Sequence, residues 1–142
     1  MCYKNILVKD SSAVTNPRVL VIDDNKDITE MLKDFFELEN IECKIVNDGK
    51  EGLDEILKEH MYYNFILLDL TMPEFSGWDI FKKLKDKNLL PSINLVIFTA
   101  SSKTANEINE LLKEGVKYVL KKPFSLVEIL KIVEKLIVNK KN

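Results

Sequence analysis

The stretch Phe65-Ile66-Leu67-Leu68-Asp69-Leu70-Thr71-Met72-Pro73-Glu74-Phe75-Ser76-Gly77 constrains this chain more than any other. Four apolar residues run unbroken into one carboxylate, and a Pro and a Gly then stop regular structure. A strand in such a run has no polar face to offer water, so it must be covered on both sides, as in a parallel sheet. Asp69 then falls at the C-terminal end of the strand, where open α/β sheets place their ligands. One carboxylate there decides nothing. What the other strands bring to the same edge does.

The rest of the chain supplies four more strand–helix units. Arg18-Val19-Leu20-Val21-Ile22 runs into Asp23-Asp24-Asn25, and Ile28, Met31, Leu32 and Phe35 then recur at helical spacing. Ile41, Cys43 and Ile45 alternate with Glu42 and Lys44, which predicts a less buried edge strand. After the turn Asn47-Asp48-Gly49, Leu53, Ile56 and Leu57 mark a second helix. Beyond the central strand, Ile80, Phe81 and Leu84 mark a third helix that stops before Pro91. A strand over 93–98 leads into Thr99, and a helix with Ala105, Ile108, Leu111 and Leu112 closes at Gly115. Val116 to Leu120 form the fifth strand, followed by Lys121-Lys122-Pro123-Phe124. Ser125 and Glu128 have capping-box spacing for a last helix through Leu130, Val133 and Ile137.

Strand and helix alternating five times predict an α/β fold, a doubly wound five-stranded parallel sheet with five helices. The most continuously apolar strands (one, three and four) belong in the centre and the charged ones (two and five) at the edges. The order 2-1-3-4-5 satisfies this. One domain covers 18–142. Residues 1–17 stand outside the pattern as an N-terminal extension, whose Ile6-Leu7-Val8 suits either an added edge strand or a disordered tail.

Composition narrows the function. A net charge of −2, with Arg18 the only arginine, lacks the basic footprint of a nucleic-acid binder. Cys2 and Cys43 are too few and too far apart for a metal cluster or a disulfide framework, which points to a reduced, cytoplasmic setting. The sequence has no apolar run of membrane-spanning length and no signal-peptide pattern.

With this strand order, Asp23, Asp24, Asp69, Thr99 and Lys122 open on one crevice. Carboxylates crowded together repel, so something cationic must compensate. A hard divalent cation with oxygen ligands, Mg²⁺ above all, suits them. Thr99 adds a hydroxyl and Lys122 a compact mobile charge. Acids, hydroxyl and ammonium around one lone Asp fit phosphoryl transfer onto that carboxylate.

These residues resemble the receiver domain of two-component response regulators, a flavodoxin-like fold. The resemblance rests on Val19-Leu20-Val21-Ile22-Asp23-Asp24-Asn25, Leu67-Leu68-Asp69-Leu70-Thr71-Met72-Pro73, Gly77, Phe98-Thr99-Ala100 and Lys122-Pro123-Phe124. Each motif is short, and their specificity lies in all of them standing in order at the right strand ends. The resemblance implies that Asp69 is the phosphoacceptor. It places Mg²⁺ on Asp23, Asp24, Asp69 and the Thr71 backbone carbonyl, with Asp23 reaching the ion through water. Thr99, Lys122 and the amides of Thr71 and Ala100 would hold the phosphoryl group, and Lys122-Pro123 would be cis. It further implies a phosphoryl donor outside the chain, a sensor histidine kinase or a phosphotransfer protein, and output through an unidentified protein partner rather than nucleic acid or membrane. His60, the lone histidine, reads as exposed and inert.

One position departs from the family pattern. Many members carry Tyr or Phe three residues before the lysine, where this chain has Val119, and Tyr118 points to the opposite face of the strand. The alternative is a receiver-like interaction module that is not phosphorylated: Val119 keeps it open, and the full set of site residues weighs against it. Two other uses of such a fold fit worse. A flavodoxin-like cofactor binder needs a phosphate-cradling loop where Asp23 and Asp24 would repel phosphate. A haloacid-dehalogenase-type phosphatase needs a second Asp where Thr71 stands. The expectation is therefore a protein that acts only on its own aspartate, not an enzyme with external turnover.

Overall fold

The computed structural model describes residues 16–100 and 103–141. The expectation for the N-terminal extension therefore lies, through residue 15, outside the described residues. Five strands form one parallel sheet: β1 (Arg18–Ile22), β2 (Glu42–Val46), β3 (Phe65–Asp69), β4 (Leu95–Thr99) and β5 (Tyr118–Lys121), in the order β2-β1-β3-β4-β5. Between and after them run α1 (Lys26–Leu38), α2 (Gly49–Glu59), α3 (Gly77–Asp86), α4 (Ala105–Glu114) and α5 (Leu126–Lys141).

Alternation along the strands splits the interior into two apolar layers. Val19, Val21, Phe65, Leu67, Val96 and Phe98 face Leu32 and Phe36 of α1 and Ile129 and Val133 of α5. Leu20, Ile22, Ile66, Leu68, Leu95 and Ile97 face Ile56 of α2, Ile80 and Leu84 of α3 and Leu111 of α4. Every residue of β3 and β4 is buried, whereas β2 exposes Glu42 and Lys44. The charge pattern thus does assign centre and edge, because each apolar side chain kept from water stabilises by about 1.5–3 kcal/mol.

Side chains cap the helix starts. Asn25 and Asp48 accept from backbone amides at the starts of α1 and α2. Capping boxes open α3 (Ser76, Asp79), α4 (Thr104, Glu107) and α5 (Ser125, Glu128). Some details shift from expectation. Met31, Leu57 and Leu112 are 36% or more exposed, because the buried stripes centre on Leu32 and Phe36, on Ile56 and on Leu111. A 3₁₀ turn over Leu90–Ser92 takes up the Pro91 region, so β4 starts at Leu95 rather than 93. His60 is half-buried, its Nδ1 lying 3.1 Å from the Ile56 carbonyl.

Two glycines let the loop after β3 lie close to its neighbours. A Cβ at Gly77 would sit 2.0 Å from the Asp69 carbonyl oxygen and 2.6 Å from the Leu70 Cα; one at Gly49 would sit 1.9 Å from the Phe75 carbonyl oxygen. These obstacles are backbone, which cannot swing aside. Gly77→Ala is expected to cost about 3 kcal/mol, the upper part of the usual overpacking range. Urea unfolding checks it, and a midpoint equal to wild type would mean that the approach is looser than described.

Candidate functional site

Sheet register builds the site. Ile22 pairs with Leu68, so Asp23 and Asp69 emerge side by side from β1 and β3. Asp69 pairs with Phe98, and Thr99 with Lys121, which sets Thr99 and Lys122 just beyond the same edge. This is the crevice where strand order reverses, with β2 on one side of β1 and β3 on the other.

The structure brings the sequence-predicted acids together. One carboxylate oxygen from each of Asp23, Asp24 and Asp69 lies within 4.8 Å of the others. Asp23 and Asp69 are buried and Asp24 is exposed. Thr99 is fully buried at the end of β4. The Lys122-Pro123 peptide is cis. Lys122 reaches into the cluster: Nζ lies 2.7 Å from Asp23 Oδ2 and 3.7 Å from Asp69 Oδ2. The ammonium also lies 4.9 Å from the centre of the Phe98 ring.

Hydrogen bonds orient the acids. Asp23 Oδ1 accepts from the Asn25 amide at 2.9 Å, and Asp69 Oδ1 accepts from the Thr71 amide at 3.3 Å. Burial, reinforced by the neighbouring Asp23 charge, pushes the Asp69 carboxyl up from 3.8 to about 6; Lys122 and the Thr71 amide pull the other way without offsetting it. Negative charge therefore outweighs the single ammonium at this point. The donor set is all oxygen, which suits a hard divalent cation.

Sequence reasoning missed two contacts at the rim. Lys103, after β4, places its Nζ 4.4 Å from the centre of the Trp78 ring at the start of α3, and Trp78 packs edge-on against Phe81. Asn47, read as a turn residue, bonds the Asp23 backbone. Neither has a sequence signature, since each depends on where a neighbouring loop lies.

Comparison with known proteins converges on one family. Residues 19–134 match the family model described as the response regulator receiver domain. The response regulator SaeR of Staphylococcus epidermidis is 35% identical over 111 residues, which are 78% of this chain and 46% of that protein. The response regulator ArlR of Staphylococcus aureus is 30% identical over 113 residues, 80% of this chain and 49% of that protein. The chain thus spans about half the length of the curated relatives it matches. Among solved structures, the receiver domain of the Francisella response regulator 1452 superposes with a TM-score of 0.78 at 35% identity, covering 88% of this chain and 99% of that one.

The raised Asp69 value has a consequence for stability. The folded state binds this proton more tightly than the unfolded chain does. Stability from this group is therefore present at low pH and is lost as pH rises through about 6. Asp69→Asn removes the ionised carboxyl, so at pH 7.5 in chelator it should stabilise the fold by on the order of 2 kcal/mol. The gain should shrink as pH falls toward 4, the ordinary carboxylate range. Thermal melts across that range measure it; no gain at pH 7.5 would mean that the site tolerates the charge.

Proposed function

This chain belongs to the response regulator receiver domain family, and on that basis we propose that Asp69 is its phosphoacceptor, with Asp23, Asp24, Thr99 and Lys122 serving the transfer. It is a receiver domain of two-component response regulators, whose family function is to accept a phosphoryl group. The observation that carries the residue assignment is the meeting of three carboxylates with one lysine at the ends of β1, β3 and β5.

Asp23, Asp24, Asp69 and the Thr71 carbonyl would hold Mg²⁺; their oxygen donors and surplus negative charge fit it. When bound, the ion supplies neutralising charge for phosphoryl oxygens. A carboxylate oxygen of Asp69 attacks phosphorus, and the bond from phosphorus to the donor's nitrogen or oxygen breaks with its electron pair leaving on the donor. Above pH 6 Asp69 is already ionised and needs no base. Lys122, within 4 Å of Asp69, offers its ammonium to a phosphoryl oxygen, and the Thr99 hydroxyl another hydrogen bond. The donor is a histidine kinase or phosphotransfer protein; output passes to a protein partner. A cytoplasmic setting accords with this chemistry, and among the described residues no helix is long and apolar enough to cross a membrane.

Incubation with acetyl phosphate and Mg²⁺, followed by intact-mass spectrometry, should show one added phosphoryl group. The gain should vanish in Asp69→Ala and on chelation. If it persists in that variant, the acceptor lies elsewhere; if wild type shows none, the alternative of an unphosphorylated interaction module replaces this reading.

Thr99 and Val119 share a face of the sheet, since Ile97 pairs with Val119 and Thr99 with Lys121. Val119 packs with the α2–α4 layer and Tyr118 with the other. A valine is smaller than a ring and cannot hydrogen-bond, so it discriminates weakly between two positions of Thr99. Phosphorylation then acts through the segment after Thr99 and α4. Amide shifts induced by beryllofluoride should concentrate from Thr99 through α4 and survive Val119→Ala. Shifts confined to α1 and α2, or lost in that variant, would move the switching face.

A further inference from the structure

Asn47 follows the last residue of β2, and its side chain turns back over the start of α1. Nδ2 donates to the Asp23 carbonyl oxygen at 2.8 Å and to Thr29 Oγ1 at 3.1 Å. The amide orientation follows from chemistry, because a carbonyl can only accept and only the NH₂ end of Asn can donate. Asp23 is also tied to β2 itself, its amide donating to the Val46 carbonyl at 3.1 Å. Asp23 is thus held through its N–H by the end of β2 and through its C=O by the residue that follows it.

The carbonyl clamp reaches further than Asp23. The Asp23 C=O and the Asp24 N–H belong to one planar peptide, so holding the oxygen fixes the plane from which Asp24 departs. Asp24 is the exposed member of the acid cluster, so its backbone start matters more to where its carboxylate lies. Thr29 is buried, and its hydroxyl donates to the Lys26 carbonyl at 3.2 Å, so the second bond ties Asn47 to the first turn of α1.

We infer that Asn47 is a positioning residue for the cation site, holding the Asp23–Asp24 peptide so that both carboxylates converge on one point. This rests on the reading of the acid cluster as a divalent-cation site. Residues that orient ligands rather than supply them are commonly worth 10- to 100-fold in metal affinity. Asn47 acts on backbone, so the lower end applies. Its side-chain hydrogen bonds go to the Asp23 carbonyl and Thr29, so its effect belongs to cation affinity and not to the transfer step at saturating cation.

The test is titration of the whole chain with MgCl₂ alone, followed by calorimetry and by the backbone amide shifts of Asp24 and Asn25. Asn47→Ala should weaken Mg²⁺ binding by about ten-fold and leave the phosphorylation rate at saturating Mg²⁺ near wild type. Thr29→Val is the comparison: it loses the helix-turn bond but keeps the Asp23 carbonyl bond, and should bind Mg²⁺ close to wild type. Asn47→Ser, a shorter single donor, should fall between and serves if the alanine variant does not fold. A wild-type protein that ignores Mg²⁺ overturns the cation-site reading and this role with it. A wild-type response unchanged in both Asn47 variants, or equal losses in Asn47→Ala and Thr29→Val, overturns the role of Asn47 alone.

Discussion

Like charges held together at the end of a sheet set the terms for this structure. Two unit charges about 5 Å apart repel by about 3 kcal/mol at an effective dielectric near 20. A domain of this kind is stable by only about 5–15 kcal/mol in all. Asp23, Asp24 and Asp69 meet within 4.8 Å, and two of them are buried. The fold carries this because Asp23 and Asp69 stand at the ends of β1 and β3 and because Lys122 stands 2.7 Å from Asp23. Exposure of Asp24 lets water screen its share. Asp69 is buried beside the Asp23 charge, and burial first and that charge second hold its proton up to about 6.

That arrangement needs the whole sheet. Lys122 and Asp23 are 99 residues apart in the chain, at the ends of the last and first strands. They meet only when β3 and β4 have paired between β1 and β5. The loop after β3 lies where it does because Gly77 and Gly49 offer no side chain to obstruct it. Site and fold are thus linked: the pairing of β1 with β3 gathers the acids, and β4 and β5 bring the lysine to them.

Sheet order and site membership were legible because they depend on gross burial. Unbroken apolar runs need cover on both faces, and Glu42 and Lys44 cannot be central. Once the order stands, the strand ends bring Asp23, Asp69, Thr99 and Lys122 to one edge without further information. What the sequence leaves unwritten is directional. Periodicity placed Met31 and Leu112 on buried stripes, yet each lies at the margin where a 3.6-residue repeat drifts toward water. The start of β4 depended on how a 3₁₀ turn absorbs Pro91. The sequence places Lys122 at this edge but does not say which carboxylate it approaches more closely; it lies nearer Asp23 than Asp69, a choice made by ångström-level geometry. Asn47 reads as a turn residue because no pattern records where the Asp23 carbonyl points.

The contact between Lys103 and Trp78 gives the molecule an optical property. Trp78 is the only tryptophan in the chain. It sits at the first turn of α3, with the ammonium of Lys103 4.4 Å from its ring centre. Lys103 belongs to the short connection that follows Thr99. Indole emission responds to a charge at that distance, so the tryptophan fluorescence of the native chain, excited beyond tyrosine absorption, reads out a single place. A rearrangement of the connection after β4 reaches the spectrophotometer with no dye, label or engineered reporter.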